Sequence, residues 1–389
     1  MKVLFLAHSY PRFGTDPIGS FILRLAVALR GRGIDVSVLA PGAPGVPAHD
    51  VLDGVPVERF RYAPRRWETL AYTGAMRQQV RGSWAARAAM TSFLAVEFAR
   101  ALAARRRFAW DLVHAHWWFP AGLVGTWLKR WTGAPLVITL HGSDLRLAQS
   151  VPVAARVFRC VARRADAITT VSHWLADGVT ALAPDARPVV APMPVGADLF
   201  QPGTTRARDR LLFVGKLNEQ KGFPALLEAL ARMRARPTVD IVVGVGNTPD
   251  DGIPAAERAG VADRIRWHPL LGQADLARLY RECTALVMPA LEEGLGLVAI
   301  EAALSGMPVI AYRSGGLPDI VVHERTGLLV APGDVTALAA ALDRVCAMPD
   351  RGAAWGDAAR AHALATFSPD ATAQRYADLY RAAPGARRA

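Results

Sequence analysis

EEGLGLVAIEAALSGMPVIAYRSGGLPDIV, residues 292 to 321, sets Glu293 and Glu301 eight positions apart around a turn bracketed by Gly294 and Gly296. Those glycines carry no side chain, so a ligand can approach the turn's backbone closely. LVAIEAALSG then reads as a helix, with Val298, Ala299, Ala302 and Ala303 as packing positions and Ser305-Gly306 as its stop. PVIAYR reads as the strand that follows. A strand ending in a glycine turn, then a helix, then another strand is the unit of an α/β protein.

The unit recurs along the whole chain. In the first half KVLFLAH, DVSVLAP, VPVERFRY, DLVHAH, PLVITLHG, AITTVS and PVVAPMPVG read as strands. FILRLAVALRGRG, a long arginine-rich stretch, LVGTWLKRWTG and the run from Pro152 to Arg164 read as helices between them. The pattern then restarts with RLLFVGKL, VDIVVGVG, RIRWHPLL, ALVMPAL, PVIAYR and GLLVAPG. Such alternation predicts α/β architecture, two Rossmann-like doubly wound parallel sheets. The break falls at the polar link Gln201-Pro202-Gly203-Thr204. The expected division is an N-terminal domain over 1–203, a C-terminal domain over 204–366, and a C-terminal helix with a basic tail over 367–389. Ligands of open α/β sheets bind beyond the carboxyl ends of the strands, and with two sheets those ends are expected to face a common cleft.

The turn at 294–296 also suggests a ligand. N–H groups and the helix dipole at a helix start suit an anion, most economically a phosphate. Glu301 lies four residues past Leu297, about 6 Å along the helix axis, where a carboxylate would repel a phosphate but accept two hydrogen bonds from a sugar diol. Glu293, just before the turn, is within reach of a second sugar. A phosphate between two sugars describes a nucleotide sugar. Surface glutamates after a glycine turn are the plain alternative, so other positions have to agree.

Several do. In FVGKLNEQKGF, Lys216 follows a strand and Lys221 precedes a helix, a pair able to clamp a diphosphate and neutralise it as it leaves. GTDPIGSF contains Gly14 and Gly19; Gly19 and Ser20 could bring backbone N–H groups to the far side of the same diphosphate. PLVITLHGSD ends a strand with His141, Gly142 and Asp144, where a neutral imidazole could hydrogen-bond a sugar hydroxyl or polarise an attacking group. His114 and His116 share one strand face and read as core or acceptor-pocket residues. No DxD pair, GxSxG or HExxH occurs. Without a metal, the leaving diphosphate would depend on lysines and backbone amides.

The formal charge of +12 belongs almost wholly to the first half, where residues 1–200 hold 24 Lys and Arg against 13 Asp and Glu. Residues 59 to 107 carry eleven arginines against Glu68 and Glu97, interleaved with Trp67, Tyr72, Trp84 and Phe93. Such a stretch could lie on an anionic bilayer, its alternative being a solvated helical face. No recognition module for nucleic acid accompanies the charge. Cys160, Cys283 and Cys346 form no CxxC pair and read as reduced thiols of a cytosolic protein. MKVLFLAHSY reads as a strand and not a signal peptide. MTSFLAVEFARALAA is interrupted by Glu97 and Arg100, so no membrane-spanning helix is expected.

Taken together, these motifs resemble the family 4 glycosyltransferases, the group 1 glycosyl transferases, which are retaining enzymes of GT-B fold. The resemblance covers nearly the whole chain and is most specific at Glu293-x7-Glu301, continuing through SGMPVIAYRSGGLPDIV and TGLLVAPGD. It implies that Glu301 holds the ribose hydroxyls, and that Glu293 with the amides of Gly294, Leu295, Gly296 and Leu297 holds the donor sugar and phosphate. It places Lys221 on the diphosphate, His141 beside the sugar and the attacking hydroxyl, and Gly19 on the phosphate side in the first domain. Lys216 stands where the family often has arginine, replacing a forked guanidinium contact by a point charge. The C-terminal helix is expected to pack back on the first domain. The resemblance implies a metal-independent hexosyltransferase that reacts on one face of the donor, the leaving phosphate helping to deprotonate the acceptor. The expected acceptor is a lipid-linked or cell-surface glycan precursor, as in polysaccharide biosynthesis, with the protein cytoplasmic and peripheral on the inner face of the plasma membrane. A small soluble acceptor, such as an aglycone or aminocyclitol, is the alternative. An epimerase acting on donor alone and a non-catalytic nucleotide-sugar-binding protein are weaker ones. These residues do not distinguish UDP, GDP and dTDP donors.

Overall fold

A computed structural model of the chain describes residues 1–203, 209–348, 350 and 352–384. The chain divides into two compact units, Met1–Pro194 with the C-terminal segment from Pro369, and Val195–Ser368. Val195 and Phe200, ahead of the polar link, already belong to the second unit. The Val195 N–H donates to the Phe367 carbonyl (3.0 Å), and Phe200 packs edge-on against Tyr280. Burial of Phe200 thus moves the division upstream of Gln201, and Thr204 lies outside the described residues, as does the basic tail beyond residue 384.

The first unit is built on eight strands, β1 (Lys2–Leu6), β2 (Asp35–Pro41), β3 (His49–Leu52), β4 (Val55–Phe60), β5 (Leu112–His116), β6 (Leu136–Leu140), β7 (Ala167–Thr170) and β8 (Val189–Val190). Their order is β3-β4-β2-β1-β5-β6-β7-β8, parallel except for the edge pair β3–β4. β3 escapes the sequence reading because AHDVL is short, half polar and lies at an edge. PVVAPMPVG keeps only two residues of strand. The runs Val3–Leu6, Leu112–His116 and Leu136–Leu140 are buried throughout, as strands covered by helices on both faces must be. The helix Pro369–Ala382 lies in this unit. Tyr376 donates to the Ala191 carbonyl (2.9 Å), Tyr380 Oη bonds His114 Nδ1 (2.7 Å), and Arg32 reaches Asp370 and Gln374. Two buried tyrosines with satisfied hydroxyls hold that helix down.

Among its described residues the second unit has six parallel strands, β9 (Arg210–Gly215), β10 (Thr238–Val243), β11 (Ile265–His268), β12 (Ala285–Met288), β13 (Val309–Tyr312) and β14 (Gly327–Val330), in the order β11-β10-β9-β12-β13-β14. A core of Leu211, Phe213, Leu226, Leu230, Ile241, Val287, Ile310 and Leu342 fills one face. In both sheets the order reverses beside the first strand, between β1 and β5 and between β9 and β12. Connections leave those neighbouring strands in opposite directions, which opens a crevice at their carboxyl ends. The residues that follow β9 and β12 are Lys216 and Pro289; those that follow β1 and β5 are Ala7-His8 and Trp117.

Candidate active site

In the second unit the crevice collects four segments. After β9, Asn218 caps the short 3-10 turn Glu219–Lys221, its side chain accepting from the Lys221 N–H (3.0 Å). Gly222 follows with φ 72°, where a Cβ would lie 1.9 Å from the Pro289 carbonyl oxygen, so only glycine lets this loop press against the segment leaving β12. The Leu291 N–H donates to the Gln220 carbonyl (2.8 Å) and locks the two together. This is how residues 72 apart in sequence meet. Lys221 Nζ lies 2.5 Å from Glu293 Oε2, and both side chains are mostly but not wholly buried.

Glu293 is held from its other side by the loop after β13. The Gly316 N–H donates to the Glu293 carbonyl (2.7 Å), and Ser314 Oγ accepts from the Glu292 N–H (2.9 Å). Gly296, at φ 95°, turns the chain into the helix Leu297–Leu304. The first N–H groups of any α-helix lack intrahelical acceptors, so the helix start at Leu297 has donors that could meet an anion. Glu301 projects from the next turn, 9 % exposed, and Tyr280 Oη donates to its Oε2 (3.0 Å). Burial, and then that carboxylate, push the Tyr280 hydroxyl pKa well up, so it stays a donor. Lys216 is exposed just beyond β9, its ammonium unpaired among the described residues; Gly244 keeps it there, because a Cβ on residue 244 would lie 2.8 Å from the Lys216 nitrogen. Lys216, Lys221, Glu293, Gly294, Leu295, Gly296, Leu297 and Glu301 therefore all belong to one sheet's switch point. The chemistry available is a cationic pair, a helix start and two carboxylates, one tied to a lysine and the other to a tyrosine.

In the first unit the same position of the sheet carries a cluster of histidines. His8 follows β1, His116 ends β5 and His141 follows β6. His116 Nδ1 and His141 Nε2 are 3.2 Å apart, and the Trp117 ring packs on His8 and His141 with centroids at 4.3 and 4.5 Å. Burial lowers all of them, His8 to about 4 and His141 to about 3, the latter also through His8. The imidazoles are thus neutral at physiological pH, suited to exchanging hydrogen bonds and not to carrying charge. Asp144 Oδ1 accepts the N–H groups of His141 (3.2 Å), Gly142 (2.9 Å) and Leu145 (3.1 Å), fixing the turn that presents His141. Burial nevertheless raises Asp144 to about 6 against those bonds.

Gly19, at φ 71°, starts the helix Ser20–Arg30, and a Cβ there would lie 2.5 Å from the Ser9 carbonyl oxygen. Close approach to the segment after β1 accounts for glycine at this position. His114 is a core residue, bonded to Tyr380 and to Thr139 Oγ1 (2.7 Å). The sequence reading passed over Tyr280, His8 and Trp117. Tyr280 sits in an amphipathic helix that shows no ligand signal, and His8 is a lone histidine after a strand. The aromatic-basic reading of 59–107 is corrected in part. Phe93 is fully buried against Phe60 and Tyr62, and Arg59 is buried with its guanidinium on the Pro11 carbonyl (2.5 Å). Periodicity could not say which face of this stretch the sheet would claim.

Residues 198–362 match the family described as Glycosyl transferases group 1, and residues 18–194 match the Glycosyl transferase 4-like domain. A D-inositol 3-phosphate glycosyltransferase of Streptomyces scabiei (strain 87.22) is 34% identical over 416 residues, covering 95% of this chain and 88% of that protein. Another from Actinosynnema mirum is 31% identical over 405 residues, covering 94% and 93%. Among solved structures, sucrose-phosphate synthase from Thermosynechococcus elongatus is similar with a TM-score of 0.81 at 22% identity, covering 98% of each chain. Anabaena HepE, in complex with UDP and glucose, is similar with a TM-score of 0.72 at 20% identity, covering 98% and 99%. Two parallel α/β sheets of this kind are the GT-B fold. The chain belongs to the group 1 glycosyl transferases and is a glycosyltransferase.

Proposed function

We propose that the protein transfers a hexosyl unit, with retention and without a metal, from a nucleotide diphosphate sugar to the hydroxyl of a small soluble polyol or polyol phosphate. The observation that carries the donor half is the Lys221–Glu293 pair at the switch point of the second sheet, with Glu301 one turn into the adjoining helix. Glu301 accepts the ribose hydroxyls beside Tyr280, whose Oη donates to its Oε2. The amides of Gly294 to Leu297 and the ammoniums of Lys216 and Lys221 take the diphosphate, and its growing negative charge is balanced there as the sugar departs. Donor binding would compete for Lys221 and leave Glu293 free to accept sugar hydroxyls. Within the first unit, His141 is a neutral imidazole suited to a sugar hydroxyl, and Gly19 opens the neighbouring helix. The leaving phosphate oxygen takes the acceptor's proton, so no side chain is assigned as general base.

The relatives named as D-inositol 3-phosphate glycosyltransferases favour a small acceptor. A lipid-linked acceptor is the second reading, favoured by the arginines of residues 59–107, several of which remain exposed. Thermal stabilisation by UDP-, GDP- and dTDP-sugars identifies the donor, and chromatography of products with inositol phosphates and with lipid-linked glycans separates the acceptors. Donor conversion to an isomeric sugar nucleotide without acceptor would instead make the protein an epimerase. Activity abolished by a chelator and restored by manganese would end the metal-independent scheme.

A further inference from the structure

The helix Trp84–Phe108 covers one side of the first unit, and its outer face is unusual for a surface helix. Its exposed positions from Ala88 to Ala103 are Ala88, Thr91, Ala95, Ala99 and Ala103, none of them charged over about 22 Å of helix. Its single acidic residue, Glu97, is buried, and Arg100 is engaged by Glu58 at 2.8 Å. Beside this stripe, Phe98 meets Trp127 and Trp131 of the helix Leu123–Thr132, with ring centroids 6.1 and 6.3 Å away. Trp131 is 75% exposed and Trp84, at the head of the stripe, 72%. Arginines stand at both ends, Arg81 and Arg87 before it and Arg105, Arg106 and Arg107 after it, with Arg130 next to Trp131. The side chains of Arg81, Arg106 and Arg130 make no hydrogen bond or ion pair among the described residues.

We propose that this face, the stripe of the helix Trp84–Phe108 with Phe98, Trp127 and Trp131, docks on an anionic lipid bilayer. Tryptophans with an apolar body and a polar N–H sit at the level of lipid headgroups, and unpaired guanidiniums beside them meet anionic heads. Charge selects the bilayer over a second copy of the chain. Both ends of the stripe are basic, so a two-fold contact would set arginine against arginine whether the paired helices ran parallel or antiparallel. The docking is independent of the sugar chemistry: it places the enzyme at a membrane whichever acceptor it uses.

Cosedimentation of the full chain with phosphatidylcholine vesicles, with and without phosphatidylglycerol, tests this. Binding is expected only with phosphatidylglycerol and should weaken with salt. Trp127→Ser with Trp131→Ser should abolish it, while transfer to a soluble acceptor in lipid-free buffer is unchanged. Arg106→Gln and Arg130→Gln, at exposed positions where the fold loses nothing, should each weaken binding about fivefold. No binding to the anionic vesicles, or binding indifferent to both pairs of changes, overturns the proposal. So does lipid-free self-association that Trp131→Ser dissolves, which would identify a second copy as the occupant.

Discussion

Gly315→Ala should disable the enzyme through Glu293, a residue 22 positions away. Gly315 has φ 60°, and a Cβ there would lie 2.2 Å from the Glu293 carbonyl oxygen and 2.5 Å from its nitrogen. Real Cβ atoms keep at least 3.0 Å, so the Glu293 backbone must retreat by about 0.8 Å. It cannot do so freely, because the Gly316 N–H holds its carbonyl and Lys221 holds its carboxylate. Misplacement of a substrate-binding group by about 1 Å costs about a hundredfold in rate. Left-handed strain adds about 1–2 kcal/mol to folding and the overlap about 1–3 more. Gly333→Ala is the control. It carries the same strain at φ 79° with nothing within 4 Å, so it should lose about 1–2 kcal/mol and no activity. Urea melts and kcat/KM for the donor separate the two. If Gly315→Ala lost no more stability than Gly333→Ala and kept kcat/KM within about twofold of wild type, the argument that this loop positions Glu293 would fail.

Glu301→Ala should raise the KM for donor by at least about tenfold with a smaller effect on kcat, since it removes an acceptor used in ground and transition states alike; an unchanged donor affinity by calorimetry would contradict this. His141→Ala should lower kcat by about a hundredfold while donor affinity survives, and wild-type kcat would remove its assignment. Glu97 is buried with neither carboxylate oxygen hydrogen-bonded among the described residues, and desolvation raises it from the ordinary 4.5 to about 8. The folded state therefore keeps a proton that the unfolded chain releases above pH 4.5, and stability falls as pH rises from there to about 8. Glu97→Gln should flatten that decline and stabilise the protein by about 2–4 kcal/mol at pH 8; parallel stability–pH curves for the two proteins would show Glu97 ionised in the fold.

Much of this was legible in the chain. The restart of βα alternation after residue 200 dictates two parallel sheets, because buried strands must be continuously apolar and must be joined through helices. Gly294, Gly296, Glu293 and Glu301 form a local motif, and a turn with its following helix is settled by residues close in sequence. Spacing could not pair Lys221 with Glu293. That pairing depends on Gly222 pressing against Pro289 and on strand order placing β9 beside β12, which only the assembled sheet decides. Tyr280 and Glu301 come from the helices before and after β12, and their meeting is likewise a matter of packing. The basic stretch before Phe108 is the clearest case of divided authority. Its sequence announces arginines and aromatics, but the sheet takes Phe93, Arg59 and Glu97 inward and leaves Trp84 and an uncharged, alanine-rich face exposed. Local sequence settles what each residue can do; which neighbours it meets is a long-range property of packing.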